Sequence, residues 1–534
     1  MKASKTFRAL FLGITSLVTF DLEAVTSYTN TTADSWSTAG NWSGGVVPSG
    51  SFNQRINING GTTVTFGSAQ GTVTIGSSVS AEQRPLVLAP LGTSGTATLN
   101  ITGGTLQANS GATGFNLIGA NADNTTGLLN VSGGLLDLTT GSSNAQHLAI
   151  GLVATTSNAR VNGTVTLSGN GTVKVNGFVF NEGAALTSGT GTVNGILNLN
   201  GGTMEAAYVR ESTGTNQAHV TSTVNFNGGL LKLTSSSGGI SNSITNANVL
   251  AGGAIIEVGA SINATVAKAL SAGSPGGGLT KRGAGTLTLT QTNTYSGTTT
   301  VSEGTLALSA GGSVANSSGI HIDSGATLSI TGLTSSSYTL GAAQTLSGSG
   351  TILATGKTLV ANGTLSAGSS PGSLIQDGGI LQLGAGGDLN WQVYDASGSA
   401  GTGYDTVQLI NGAVLDLSLL SSLNPYQINL WSLAGIGPDA NGNATNFDQA
   451  LSYAWTLFSQ DTAISGFDES FFAIQTGSFN GAGGFQNDLG GGMFRVGLGS
   501  GGNSIVLNFT PVPEPSVAML GGLGLCCLLR RRRR

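Results

Sequence analysis

Leu99-Asn100-Ile101-Thr102-Gly103-Gly104-Thr105-Leu106 is echoed by Leu129-Asn130-Val131-Ser132-Gly133-Gly134-Leu135-Leu136. The pattern returns as Leu197-Asn198-Leu199-Asn200-Gly201-Gly202-Thr203-Met204 and as Val224-Asn225-Phe226-Asn227-Gly228-Gly229-Leu230-Leu231. A degenerate copy, Val165-Thr166-Leu167-Ser168-Gly169, stands between the second and third. The first glycines fall at 103, 133, 169, 201 and 228, in steps of 30, 36, 32 and 27 residues. Recurrence at 20 to 50 residues signals a stacked array. Within each unit apolar and polar residues alternate, which puts one set on each face of a strand. Gly and Asn then supply corners with positive φ. Helical periodicity is absent, so the units read as coils of a parallel β-solenoid, each burying its apolar face on its neighbours. A β-propeller would need longer and more regular blades.

The alternation extends from about Gly60 to Ile375, as in Thr63-Val64-Thr65-Phe66, Thr72-Val73-Thr74-Ile75 and Thr286-Leu287-Thr288-Leu289. Composition agrees with it. Of 534 residues 87 are Gly, only 10 are Pro, and charged residues make up 8%, against about 25% in ordinary soluble domains. Stacked coils bring like positions to ~4.8 Å, where like charges repel, so a solenoid favours few charges. The formal net charge is −5, and a nucleic-acid binder would need a basic face.

One segment carries a family resemblance. Gly278-Leu279-Thr280-Lys281-Arg282-Gly283-Ala284-Gly285-Thr286-Leu287-Thr288-Leu289 leads to Asn293-Thr294-Tyr295-Ser296-Gly297 and Thr298-Thr299-Thr300-Val301-Ser302-Glu303-Gly304-Thr305-Leu306. It resembles the autotransporter-associated β-strand repeat of passenger domains. The matching positions are Gly283, Gly285, Thr286, Leu287, Leu289, Tyr295, Gly297, Val301, Gly304 and Leu306. The resemblance implies a right-handed parallel β-helix. Leu365-Ser366-Ala367-Gly368-Ser369-Ser370-Pro371-Gly372-Ser373-Leu374 resembles a turn common in such proteins, as does the stretch from Trp36 through Asn41-Trp42-Ser43 to Pro48. A self-transporting passenger needs a C-terminal barrel of amphipathic membrane strands; the sequence after residue 377 does not read as one.

The ends read differently. Met1-Lys2-Ala3-Ser4-Lys5-Thr6-Phe7-Arg8 precedes an apolar stretch from Ala9 to Phe20, and Leu22-Glu23-Ala24 offers Ala24 as a cleavage residue. This is the grammar of a signal peptide over residues 1–24; a buried N-terminal helix is the competing reading. At the other end Val512-Pro513-Glu514-Pro515-Ser516 precedes an apolar run from Val517 to Leu529 and then Arg530, Arg531, Arg532, Arg533 and Arg534. Thirteen apolar residues are short for a span of ~20, though flanking arginines can snorkel. This tail resembles the PEP-CTERM sorting signal of Gram-negative bacteria. The resemblance implies a short transmembrane sorting helix over 517–529, recognition by an exosortase, cleavage near Pro513-Glu514-Pro515, and export to the envelope or extracellular matrix. Both cysteines, Cys526 and Cys527, lie in the tail, where they are apolar filling or lipidation sites. The body between Val25 and Pro513 holds 11 Lys and Arg against 21 Asp and Glu, a net charge of −10.

Composition shifts after Gln376. Sixteen of 31 aromatic residues lie between Trp391 and Phe509, and eleven acids fall between Asp377 and Asp488 with no Lys or Arg from Lys357 to Arg495. The expected organisation is therefore an N-terminal cap over 25–59, solenoid repeats over 60–376, an aromatic- and acid-rich β module over 377–510 that caps or flanks the coils, and the sorting signal over 511–534. Trp36 and Trp42 are candidates for closing the other end.

Candidate chemistry is sparse. Glu205 and Glu211, with Tyr208 and Arg210 nearby, are the best pair of acids for glycoside chemistry, which needs two opposed carboxylates; strand neighbours usually face opposite sides. His147, His219 and His321 have no metal-ligand spacing. Asp439-Ala440-Asn441-Gly442-Asn443-Ala444-Thr445-Asn446-Phe447-Asp448 places oxygens at alternate positions, but its glycine and missing final Glu depart from a calcium loop. It reads as a polar turn, with loose Ca²⁺ binding by the acidic module as the alternative. The expectation is an exported envelope or matrix protein, structural or adhesive, without cofactor or catalytic site and associated with extracellular polysaccharide. A carbohydrate-active β-helix enzyme is the alternative.

Overall fold

The computed structural model describes residues 25–31, 34–52, 54–76, 84–89, 95–109, 115–119, 124–140, 146–151, 158–181, 190–212, 219–368, 371–437, 440–478 and 483–512. The signal-peptide candidate, Ala24, Asp439 and positions 513–534, with both cysteines and the terminal arginines, lie outside them. Among the described residues no helix is long and apolar enough to cross a membrane.

The chain forms a parallel β-helix. Its first face is a ladder that starts at Val25–Tyr28, Arg55–Ile58 and Leu86–Leu88 and runs to Thr406–Ile410 and Tyr453–Ser459, each strand parallel to the one before. A second sheet holds two further strand lines. In the early coils both lines belong to one long strand, Gly95–Asn109 or Thr125–Asp137, bent at the Gly-Gly corner. In later coils a third sheet of four parallel strands, Ser337–Leu340, Thr358–Ala361, Ile380–Leu383 and Val414–Asp416, replaces the first of these lines.

Period-two alternation is the cause of this stacking. Thr286–Leu289 pairs with Asn263–Val266 on one side and with Thr305–Ala310 on the other. Leu287 thereby lies between Ala264 and Leu306, and all three are buried. One apolar cluster built this way extends from Tyr28 to Phe509. The repeated glycines share a corner, as expected: the Gly202 amide donates to the Gly169 carbonyl at 2.9 Å. At Gly202 φ is +63°, and a Cβ would meet the Gly171 carbonyl oxygen at 2.3 Å, so that corner accepts only glycine.

Coil length varies more than the repeated units indicate. On the first face Val25 stacks on Arg55, Phe115 on His147 and Tyr208 on Gly239, advances of about thirty residues. The advance then falls to 23 from Asn263 to Thr286 and to 19 from Thr286 to Thr305. On this face, among the described residues, the shortest coil is the one that carries the repeat motif.

The ends are closed by aromatic residues. Trp36 packs on Trp42 and Phe66 at 4.8 and 5.1 Å between ring centroids, and Tyr28 on Trp42 at 5.0 Å. The Trp36 and Trp42 indoles donate to the carbonyls of Pro48 and Trp36, both at 2.8 Å. Segment 25–59 is thus a first coil folded under its own lid, since Val25–Tyr28 already pairs with Arg55–Ile58. At the far end parallel stacking passes position 376 without a break: Asp388–Val393, Tyr426–Ser432 and Phe472–Gln475 continue the second sheet. The expected module boundary at 376/377 marks a change of composition and not of pairing. Parallel order ends later, where Ser504–Thr510 runs antiparallel to both Tyr453–Ser459 and Met493–Leu498. There Tyr453 stacks on Trp455 at 5.0 Å, and Phe447, Phe485, Phe494 and Phe509 pack around them.

Replacing Leu287 by Asp places an unpaired carboxylate between Ala264 and Leu306. The expected cost is about 3 kcal/mol or more. It should concentrate in adjoining coils, because solenoid coils contact only their neighbours. Hydrogen exchange by mass spectrometry checks this: protection should fall around 263–310 before it falls near either end.

Candidate functional site

Outward positions stack as regularly as inward ones, and this builds the surface. Asn130 donates through Nδ2 to Asn100 Oδ1 at 2.9 Å, Asn225 to Asn198 at 2.8 Å and Asn248 to Asn225 at 2.9 Å. Between them Asn198 donates to Thr166 Oγ1 at 3.3 Å. These side chains are half-buried and pass one amide or hydroxyl to the next along the solenoid.

A second ladder is ionic. Asp137, Lys174, Glu205, Lys232, Glu257 and Arg282 occupy equivalent positions in six successive coils, with alternating sign. Glu205 lies 3.9 Å from Lys174 and 3.8 Å from Lys232, which reaches Glu257 at 3.7 Å. Glu205 is thus a link in this ladder. Glu211 is on the first face, 4% exposed, and accepts hydrogen bonds from Ser222 Oγ and from Thr245 Oγ1 at 3.1 Å. The fold places these two acids on different sheets, so they do not form an opposed pair. Tyr208 and Arg210 point out from the strand that buries Glu211. The Tyr208 hydroxyl meets His147 Nε2, and the Arg210 guanidinium lies 4.6 Å above the Tyr208 ring.

The repeat motif is explained by its turns. Leu287, Leu289, Val301 and Leu306 are buried side chains of successive coils. Gly283 and Gly304 have φ of +75° and +61°, and a Cβ on Gly285 would stand 2.1 Å from the Gly259 carbonyl oxygen. Gly297 comes within 2.5 Å of the Gly277 backbone by the same measure. Tyr295 is buried with its hydroxyl 2.7 Å from Thr299 Oγ1, and burial pushes its phenol up. Thr286 stacks outward on Thr305. Sequence reasoning did not assign Lys281. It points inward between Ile256 and Val301, and its Nζ donates to the carbonyls of Arg282, Gly283 and Glu303 at 2.9, 2.5 and 3.0 Å. Burial holds its pKa down at about 8, against the upward pull of Glu303 and Glu257. Parity was the available signal, since Lys281 shares a face with Leu279.

The acid-rich stretch is occupied by turn chemistry. Asp395, Asp416, Asp448, Asp468 and Asp488 each accept the amide two residues ahead at 2.8 to 3.0 Å. These are Asx turns. Asp395 also takes Asn446 at 2.9 Å, which uses one of the calcium-loop candidates. Among the described residues no three His, Cys, Asp or Glu converge as a metal group. Asp405 is buried and accepts the amides of Gly372 at 2.7 Å and Gln392 at 3.0 Å. Burial raises its carboxyl well above the usual range, in spite of those two donors.

The three histidines remain apart from one another, but His321 has partners that sequence spacing hid. Its Nδ1 is 2.9 Å from Ser347 Oγ and its Nε2 is 2.9 Å from Asp323 Oδ1. Ser347 is the stacking equivalent of His321 one coil on. The group reads as a polar rung.

The family model of the passenger-associated transport repeat matches residues 279–308. These are the strands and turns from Leu279 to Leu308, including the 19-residue advance from Thr286 to Thr305. No curated protein matches the chain. The match concerns the repeat alone, and it suggests an exported β-helix of the passenger kind, outside a Gram-negative cell.

Two substitutions test these assignments. Glu205→Lys sets three cations on consecutive rungs with Lys174 and Lys232 and should cost about 1 kcal/mol at low ionic strength, a loss that salt reduces. Denaturant titrations at two salt concentrations check it. For Asp405 the folded carboxyl holds its proton to higher pH than the unfolded one. Its contribution is therefore complete below roughly pH 4, the unfolded midpoint, and is lost as pH rises through the folded midpoint. The melting temperature of the wild type should fall relative to Asp405→Asn over that rise; a pH-independent difference would rule out the linkage.

Proposed function

We propose that this chain is an exported structural or adhesive β-helix that associates with extracellular polysaccharide in the envelope or biofilm matrix. The observation that carries the reading is the surface. Stacked coils repeat amide, hydroxyl and paired-charge positions at about the spacing of parallel strands, ~4.8 Å, on a scaffold that includes a passenger-associated repeat. A long polar face of this kind offers hydrogen bonds to a long polymer, with weak individual contacts made effective by their number. In this reading the chain is no enzyme, and Glu205, Glu211 and His321 serve the scaffold. Residues 512–534 serve as a temporary sorting signal, held at the inner membrane through 517–529 and cut by an exosortase.

The test has two readouts. Purified extracellular polysaccharide should retain the protein while chitin does not; equal retention by both, or by neither, removes the association. The intact mass of protein recovered from the cell exterior should lack Cys526, Cys527 and the five arginines. A mass that includes them makes the tail a permanent anchor.

A further inference from the structure

The first face contains a trench. Three successive rungs present outward Tyr208 and Arg210, then Gly239 and Ser241, then Thr265 and Ala267. Gly239 pairs with both Tyr208 and Thr265, and it has no side chain to fill the rung between them. A Cβ there would meet the Thr265 carbonyl oxygen at 1.8 Å, so the backbone enforces the gap. The trench encloses about 370 Å³. Gly239 and Ile240 form its floor, and Ser237, Ser241 and Thr265 bring hydroxyls to its edges.

Arg210 makes this trench unusual in an acidic body. Among the described residues it has no carboxylate partner, and its Nε is buried without a hydrogen-bond partner. The nearest acid in sequence, Glu211, faces inward and is taken up by Ser222 and Thr245. The described lining holds no Asp or Glu. The guanidinium is held in place by the Tyr208 ring, whose hydroxyl is in turn fixed on His147. Gly177 makes room for that arrangement, because a Cβ on it would strike the Tyr208 ring. A planar donor fork, preorganised and unpaired beside small hydroxyl side chains, matches a carboxylate carried on a sugar.

We infer that the trench between Tyr208 and Thr265 binds the carboxylate of an acidic sugar unit in a polysaccharide chain, with Arg210 as the bidentate donor and Ser237, Ser241 and Thr265 on neighbouring hydroxyls. The inference rests on the polysaccharide reading above and names the chemical class that reading lacks. Titration calorimetry of the full chain with a galacturonate hexamer, and with the same hexamer fully methyl-esterified, tests it. The acid should bind at least about tenfold more tightly than the ester. Arg210→Gln should remove that preference, and Arg210→Lys should restore only part of it because a point charge lacks the fork. Thr265→Trp, which fills the trench from an outward position, should also abolish binding; melting curves confirm that each variant is folded. Equal affinity for acid and ester, or a folded Arg210→Gln that binds like wild type, overturns the trench. If the wild type is at the same time retained by extracellular polysaccharide, the broader reading survives that result; if it is retained by none, both fall.

Discussion

Among the described residues, a side chain in a stacked strand has as neighbours the residues at the same position one coil earlier and one coil later. Everything else follows from that stacking. A charge repeated coil after coil would meet itself at ~4.8 Å, so charge is either absent or alternates, as from Asp137 through Lys174, Glu205, Lys232 and Glu257 to Arg282. An asparagine meets a partner able to donate and accept, so Asn198, Asn225 and Asn248 link into a chain. A glycine needed at one corner is needed at the next, since each coil lies against the backbone of the last.

The same constraint separates what the sequence discloses from what it conceals. Parity is local, so the inward placement of Leu287, Val301 and Leu306 could be read directly. Register is not local. The coil advance varies from about thirty residues to 19, and the spacings from Lys174 to Glu205, Lys232 and Glu257 are all unequal. No fixed period could reveal their ladder, and Glu205 therefore looked like a candidate acid beside Glu211. His321 and Ser347 stayed unlinked for the same reason. Lys281 was hidden differently. Its parity points inward, but a lysine in a core position is improbable until three carbonyls at the repeat turn are seen to receive it.

Composition misled at position 376. Aromatic residues and acids accumulate there as they would in a separate domain, yet parallel pairing continues. The aromatics serve the end of the stack, where the core would otherwise lie open, and the acids serve turns whose Asp side chains accept backbone amides. Both demands belong to a closing solenoid, so a change in composition need not mark a change of fold.

Both ends of the stack carry aromatic cover. At the first coil the lid strand position Trp42 bridges to Tyr28 and the Trp36 and Trp42 rings cover the core. At the last coils antiparallel pairing replaces the parallel edge, with Arg495 on the outermost strand beside Glu469 at 3.5 Å. An open parallel edge is a template for another chain, and on the first face the antiparallel strand Ser504–Thr510 takes that place beside Tyr453–Ser459. Between the two ends run the lateral faces. Those faces differ along the solenoid: outward Val87, Leu117 and Ala149 are buried as a second apolar cluster in the early coils, whereas Thr286 and Thr305 are half-exposed in the later ones. The trench at Gly239 falls between these regimes, where coil length drops and outward cover ends. At this step Gly239 leaves a rung without a side chain between Tyr208 and Thr265. There the lateral surface gains a recess with Arg210 at its edge and no carboxylate in its lining.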